Sequence, residues 1–91
     1  MDISIIIVSY NTKDYLRNCL SSFYNYLTGV VFEIIVVDNN SEDGSPEMVK
    51  REFPDVKLIL NDGNYGFAKA NNRGFEHSTG EFILFINRSC H

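Results

Sequence analysis

Three polar clusters in this sequence hold the side chains best suited to bind a ligand. They occupy residues 9–12, 38–41 and 61–72, and each follows a short run of aliphatic residues. The central cluster places Asp38 at the end of the run 34–37, where a carboxylate on a rigid strand can accept hydrogen bonds from a ligand. Asp, Asn and Ser also favour turns and helix caps, so this cluster taken alone is equally compatible with a plain turn.

Four apolar runs predict the strands that must position these clusters. They cover residues 3–8, 33–38, 56–60 and 81–86. The runs are short, show little alternation and are rich in β-branched or aromatic residues, which is typical of strands buried on both faces of a parallel sheet.

Three helices are predicted between these strands. Apolar residues recur at helical spacing after the first strand, and Asn11 or Thr12 would cap that helix. The stripe consists of Leu16, Cys19, Leu20, Phe23, Tyr24 and Leu27. Ser45 followed by a proline predicts the N-cap of a second helix, which Pro54 ends. The third helix is predicted over residues 67–77.

The order β-α-β-α-β-α-β predicts an α/β fold, a three-layer α/β/α sandwich around a mainly parallel sheet. The carboxyl ends of parallel strands meet at one edge of the sheet, and open α/β sheets bind their ligands in the crevice outside that edge. The three polar clusters are therefore expected to lie together. Three clusters at one edge are harder to explain as plain turns than one.

Composition limits the function further. The 91 residues form at most one small domain, residues 1–91, and a net charge of −4 leaves no basic surface for a nucleic-acid partner. No apolar run approaches the roughly 18 residues of a transmembrane segment, and the N-terminus does not read as a signal peptide, so a cytoplasmic location is expected. The glycine motifs of dinucleotide-binding and P-loop proteins are absent, which argues against NAD-dependent chemistry and P-loop hydrolysis.

Four motifs in order resemble the inverting family 2 nucleotide-sugar glycosyltransferases of the GT-A (Rossmann-like) fold, and most closely the rhamnosyltransferase-like branch. The motifs are IIIVSYN at 5–11, IIVVDNNS at 34–41, GNYGFAKANNRGF at 63–75 and TGEFILFIN at 79–87. The resemblance covers essentially the whole chain. It implies that residues 1–91 are the N-terminal, donor-nucleotide-binding half of such an enzyme, a truncated GT-A domain that would be inactive alone.

The resemblance also implies the residues of a nucleotide site. The matching residues are Val8, Ser9, Tyr10, Asn11, Asp38, Asn40, Ser41, Asn64, Gly66, Lys69 and Asn72. In the family the acid matching Asp38 accepts a hydrogen bond from the base, and the segment matching 64–72 closes over the nucleotide or its diphosphate. A uracil or thymine N–H suits that carboxylate. Lys69 is equally compatible with a solvated surface position, and Asn72 with bracing the loop.

The chain departs from the family after its fourth predicted strand. An acidic motif there holds Mg²⁺ or Mn²⁺ in the complete enzymes, whereas this sequence reads Asn87, Arg88 and Ser89. Hard cations prefer anionic oxygen ligands, so no metal is predicted for this chain. The resemblance places the acceptor-binding half and the general base of the family later than the matching stretch, so no catalytic residue is predicted either. Two functions remain. One is the donor half of a transferase that moves a hexosyl or rhamnosyl group from a UDP- or dTDP-sugar to a cell-surface polysaccharide or lipid-linked acceptor. The other is a non-catalytic nucleotide-binding or assembly module.

The last predicted strand also raises the question of partners. Residues 82–86 are all apolar, and three short helices are too few to cover four strands on both faces. An uncovered apolar strand is a template for edge-to-edge pairing. The sequence therefore predicts a homo-oligomer, a two-fold dimer through residues 81–91.

Overall fold

The computed structural model describes residues 2–87, in which four strands alternate with three helices. The elements are β1 (Ile3–Ser9), α1 (Lys13–Tyr26), β2 (Phe32–Asp38), α2 (Ser45–Glu52), β3 (Lys57–Leu60), α3 (Gly66–Glu76) and β4 (Phe82–Asn87). All the predicted elements are present, and their ends coincide with the predicted ones or differ from them by at most three residues. The predicted α/β fold is confirmed.

The strands form one sheet in the order β3-β2-β1-β4, and every neighbouring pair is parallel. The register places Ser9 opposite Asp38, and Asp38 opposite Leu60. The ladder continues past the strand ends, because the Asn39 N–H donates to the Ser9 carbonyl at 2.9 Å and the Asn61 N–H donates to the Asp38 carbonyl at 2.9 Å. The starts of the three polar clusters are therefore hydrogen-bonded side by side.

Helices cover both faces of the sheet, as the unbroken aliphatic runs predict. Successive side chains of a strand point to opposite faces, so each central strand contributes to two cores. The core under α1 and α2 contains Ile5, Ile7, Leu16, Leu20, Ile34, Val36, Met48, Val49 and Val56. The core under α3 contains Ile6, Val8, Ile35, Val37, Ile59 and Ala70.

The caps of α1 and α2 differ from the prediction. Thr12 is the N-cap position of α1, but its side chain makes no capping hydrogen bond. Asp43, from the loop before α2, accepts the Lys13 N–H at 3.0 Å and the Ser45 N–H at 3.0 Å. Ser45 is the first residue of α2 rather than its cap, which is Gly44 at φ 85°. A single carboxylate thus serves the starts of two helices.

The same carboxylate holds the first two polar clusters in a fixed relation. Desolvation alone would raise the pKa of Asp43, but the hydrogen bonds from Ser45 and from the Lys13 N–H outweigh it and lower that pKa. The charged form is therefore stabilised where the positive ends of two helix dipoles converge. The loops after β1 and β2 are joined at this point.

At the opposite end of the sheet, a buried carboxylate ties the strands together. Glu33 is 8% exposed, and its Oε2 accepts the Ser4 hydroxyl at 2.6 Å and the Thr79 N–H and hydroxyl at 2.7 and 2.8 Å. Its Oε1 pairs with the Lys57 ammonium at 2.8 Å. Burial alone would raise the pKa of Glu33, but these partners lower it to about 2. No pattern in the sequence predicts this contact.

Strand β4 lies at the edge of the sheet and is incompletely covered. The exposed fractions are 71% for Phe82, 45% for Leu84 and 45% for Phe85. The register places Phe82 and Leu84 on the face of α1 and α2, and Phe85 on the face of α3. The apolar run indicates burial on both faces, but residues 2–87 do not supply that burial.

Candidate functional site

The loops that follow β1 and β2 contact each other across the carboxyl edge of the sheet. The Asn11 N–H donates to the Ser41 hydroxyl at 2.9 Å, and the Glu42 N–H donates to Asn11 Oδ1 at 2.9 Å. The hydroxyls of Ser9 and Thr12 lie 3.4 Å apart. The structure therefore brings together Ser9, Asn11 and Ser41, which the family resemblance implies for one site.

Two asparagines in these loops have left-handed backbone conformations. The φ angle is 50° at Asn11 and 67° at Asn40. Asparagine tolerates this region better than most residues, yet it is sparsely populated, and such conformations concentrate at functional sites. The two residues turn the chain sharply just beyond the strand ends. That sharp turn keeps the edge above Asp38 free of regular structure.

Asp38 lies at the centre of this edge with one oxygen satisfied and one not. The side chain is 1% exposed, and its Oδ2 accepts the Ser41 N–H at 2.7 Å. Its Oδ1 is buried and has no hydrogen-bond partner among residues 2–87. Burial raises the pKa of Asp38, although the hydrogen bonds from Ser41 act in the opposite direction. A buried acceptor without a donor is costly in free energy.

The third cluster reaches the edge through Asn39, a residue that sequence reasoning missed. Asn39 is 1% exposed, and its Nδ2 donates to Asn64 Oδ1 at 3.3 Å and to the Gly66 carbonyl at 3.4 Å. Its Oδ1 accepts from Asn61 Nδ2 at 2.7 Å. The only signal in the sequence was an amide directly after a buried strand. Asn64 and Gly66 are thus joined to β2 by a side chain next to Asp38.

The remaining predicted residues take varied positions. Val8 is buried in the core under α3, while Tyr10 is 39% exposed and Asn40 and Asn72 are exposed. Next to Asn72 in α3, the Oδ1 of Asn71 is buried and has no hydrogen-bond partner among the described residues.

Lys69 belongs to a different hollow. Its ammonium lies 5.4 Å from the centroid of the Tyr65 ring, on the outer side of α3. The hollow there has a volume of about 650 Å³ and is lined by Leu60, Asn61, Asp62, Tyr65, Lys69, Arg73, Glu76 and His77. No residue of 9–12 or 38–41 lines it. The structure therefore does not bring Lys69 into one cavity with Asp38.

Residues 2–87 do not provide the ligands of a metal site. Within residues 2–87, no three His, Cys, Asp or Glu side chains lie close enough to hold a metal ion together. Position 89, where the sequence has Ser in place of the family's acid, lies outside the described residues. In the same part of the chain, no helix has the length and apolar character needed to cross a membrane.

Similar proteins share this fold. The putative glycosyltransferase EpsH of Bacillus subtilis is 33% identical over 87 residues, which are 93% of this chain and 25% of that protein. The crystal structure of S. aureus TarS 1–349 in complex with UDP superposes with a TM-score of 0.84 at 28% identity, covering 96% of this chain and 27% of that one.

A second solved structure gives the same result. The mannosyltransferase PcManGT from Pyrobaculum calidifontis, in complex with GDP-Man and Mn²⁺, superposes with a TM-score of 0.77 at 30% identity over 93% of this chain and 26% of that one. The chain thus spans about a quarter of the length of each of these three relatives. The model of the family "Glycosyl transferase family 2" matches residues 4–88. This chain therefore belongs to glycosyl transferase family 2.

Proposed function

We propose that this chain binds the nucleotide of a UDP- or dTDP-sugar for glycosyl transfer. The observation that carries the proposal is the buried Oδ1 of Asp38, an acceptor without a donor among residues 2–87, at the carboxyl edge of a parallel sheet. The N3–H of uracil or thymine is a donor of the required kind, and a hydrogen bond to a charged group is about twice as strong as a neutral one. The complex of the related TarS with UDP supports the choice of ligand.

In the proposed reaction, an acceptor hydroxyl attacks the anomeric carbon of the sugar. A base takes the hydroxyl proton, a new C–O bond forms with inversion, and the bond to the diphosphate breaks, so the nucleoside diphosphate leaves with the electron pair. The part of this chain in the reaction is to hold and orient the leaving nucleotide. The acceptor site and the base belong to the longer proteins that this chain resembles.

The finer features of the proposal rest on the motifs. The four quoted stretches favour the rhamnosyltransferase-like branch, hexosyl or rhamnosyl transfer, and a polysaccharide or lipid-linked acceptor in the cytoplasm. The full set of site residues named from the resemblance remains part of the proposal. The hydrogen bonds that join Asn11 and Asp38 to Ser41 support the part of that set that we propose to lie around the base.

The choice of nucleotide is tested by calorimetric titration with UDP, dTDP, CDP and GDP. We expect UDP and dTDP to bind with similar affinity, because both bases present the same N3–H to Asp38. CDP should bind at least about tenfold more weakly, because cytosine has a lone pair at N3 and would leave the carboxylate unsatisfied. Guanine also presents N–H donors, so tighter binding of GDP would contradict the assignment to a pyrimidine. Absence of any nucleotide binding would overturn the proposed function.

A second candidate, a nucleotide-binding or assembly module without chemistry, is favoured by Arg88 and Ser89 in place of an acidic motif. It makes a distinct prediction about metals. Added Mn²⁺ or Mg²⁺ should leave the UDP affinity of this chain unchanged, because a cation bound to the diphosphate would find only neutral side chains, and no carboxylate, to link it to the protein. The comparison variant is Ser89→Asp, which should gain metal-dependent binding. A clear enhancement by Mn²⁺ in the unmodified chain would mean that another acid supplies the ligand.

We further propose that the chain self-associates through β4 and the residues after it. Phe82 and Leu84 lie exposed on one face, Phe85 on the other, and the outer backbone edge of β4 has no neighbouring strand among residues 2–87. Full burial of an exposed side chain of this size is worth about 1.5–3 kcal/mol, and these side chains would gain roughly half of that because they are already partly covered. Two copies related by a two-fold axis would pair their β4 edges.

Sedimentation velocity over a wide range of concentrations tests the dimer. We expect a monomer–dimer equilibrium for the natural sequence and a monomer for Leu84→Lys, since a charge on this face opposes pairing. Exposed Tyr26→Lys on α1 is the matched control and should not change the equilibrium. A compact monomer at every concentration would show that β4 needs no partner.

A further inference from the structure

A chain of side-chain hydrogen bonds runs from α3 to the end of β2. The Arg73 guanidinium donates to Asn61 Oδ1, and Asn61 Nδ2 donates to Asn39 Oδ1 at 2.7 Å. Asn39 Nδ2 then donates to the Gly66 carbonyl at 3.4 Å and to Asn64 Oδ1 at 3.3 Å. We call the set Arg73, Asn61, Asn39, Asn64 and Gly66 the amide relay. It spans the segment between β3 and α3.

The direction of every bond in the amide relay is fixed by its two ends. Arginine has only donors, so the oxygen of Asn61 must face Arg73 and its nitrogen must face Asn39. A backbone carbonyl has only acceptors, so the nitrogen of Asn39 must face Gly66. Asn64 Oδ1 also accepts the Gly66 N–H at 3.1 Å, which fixes the orientation of that amide as well. Each side chain therefore has one orientation that satisfies its neighbours.

Asn39 is the member of the relay closest to the proposed base site. It follows Asp38 directly, and its backbone N–H donates to the Ser9 carbonyl at 2.9 Å. Asn39 is 1% exposed, and both its amide oxygen and its amide nitrogen already bond to other residues of the chain, so any effect on binding must pass through the residues it holds. Those residues are Asn64 and Gly66, both exposed and both in the segment that the family resemblance places over the nucleotide.

We propose that Asn39 is a positioning residue for nucleotide binding. It fixes the segment 64–66 against the end of β2 and thereby sets the distance between that segment and the Asp38 carboxylate. The proposal rests on the proposed nucleotide-binding function and deepens it. Asn39 follows Asp38, the residue proposed to bind the base. Its buried amide would act on the shape of the site and would not contact the ligand.

The test is Asn39→Ala, which removes the three side-chain bonds without adding a charge beside Asp38. We expect UDP affinity to fall about tenfold. The preference for UDP over CDP should also shrink, whereas a partly unfolded protein would lose affinity for both by the same factor. Hydrogen exchange should accelerate at the backbone amides of 61–66 and stay unchanged in β1 and β2. The matched control is Asn18→Ala on the exposed surface of α1, which should keep the affinity within about twofold.

The outcomes separate this proposal from the function on which it rests. If the natural sequence binds no nucleotide, the proposed function and the positioning role of Asn39 are both overturned. If the natural sequence binds UDP and folded Asn39→Ala keeps its affinity, its preference and its exchange rates, only the positioning role is overturned. If Asn39→Ala does not fold, the test is Arg73→Met, at the exposed end of the amide relay. A several-fold loss of UDP affinity together with faster hydrogen exchange in 61–66 would support the proposal. Unchanged affinity and exchange rates would overturn it.

Discussion

Asp38→Asn is expected to weaken UDP binding by about 1.5–3 kcal/mol, or roughly ten- to hundredfold. The amide oxygen can keep the hydrogen bond from the Ser41 N–H, which Asp38 now accepts at 2.7 Å. The amide nitrogen then faces the N3–H of the base, and two donors oppose each other where an acceptor is needed. The substitution thus removes one interaction while preserving the loop.

Calorimetric titration with UDP, combined with thermal unfolding of the free protein, measures this effect. Burial raises the pKa of Asp38, so the folded free protein disfavours the charged carboxylate, and the neutral Asn variant should unfold at no lower temperature. The control is Asp14→Asn, whose side chain is 92% exposed on α1. Equal UDP affinities for Asp38→Asn and the natural sequence would disprove the role of Asp38.

The pH dependence of binding follows from the same carboxylate. A protonated Asp38 presents a donor to the base N–H, so UDP affinity should fall as the pH falls through the pKa of Asp38. Because that pKa is raised, the loss should begin at a higher pH than for an ordinary aspartate. The Asp38→Asn variant should show no such step.

Glu33→Gln should lower the free energy of unfolding by about 3 kcal/mol at neutral pH. The reason is that the pKa of Glu33 falls from an ordinary 4.5 to about 2 in the folded protein. Each pKa unit corresponds to about 1.4 kcal/mol of preference for the charged form. If the oxygen of the glutamine keeps the hydrogen bonds from Ser4 and Thr79, its amide nitrogen faces the Lys57 ammonium. That ammonium then loses the anionic partner that now lies at 2.8 Å.

The pH dependence of stability separates this contribution from general damage to the fold. Because the folded pKa is lowered, the stabilisation is fully present above about pH 4.5 and is lost as the pH falls toward about 2. Urea unfolding across this range should show the natural sequence approaching the stability of Glu33→Gln at the acid end. Exposed Glu81→Gln serves as the control. A deficit of constant size at every pH would contradict this explanation.

The local pattern of the sequence determined the fold class and the edge at which the site lies. The four apolar runs are separated by three predicted helices. This order requires a parallel sheet with helices on both faces, and the two cores show this arrangement. In such a sheet, polar residues after each strand meet at one edge, so the sequence alone places Asp38, Ser9 and Asn11 together. These conclusions depend only on periodicity and on the order of the elements.

Contacts between distant parts of the chain decided the rest. Glu33 bonds to Ser4, 29 positions away, and to Thr79, 46 positions away. Asp43 caps a helix that begins 30 positions earlier, and the amide of Asn39 reaches Asn64 across 25 positions. No local pattern records such pairs, because a polar residue after a strand suits a turn, a cap or a buried bond equally well. Which of these it becomes is decided by the neighbour that the folded sheet brings within hydrogen-bond distance.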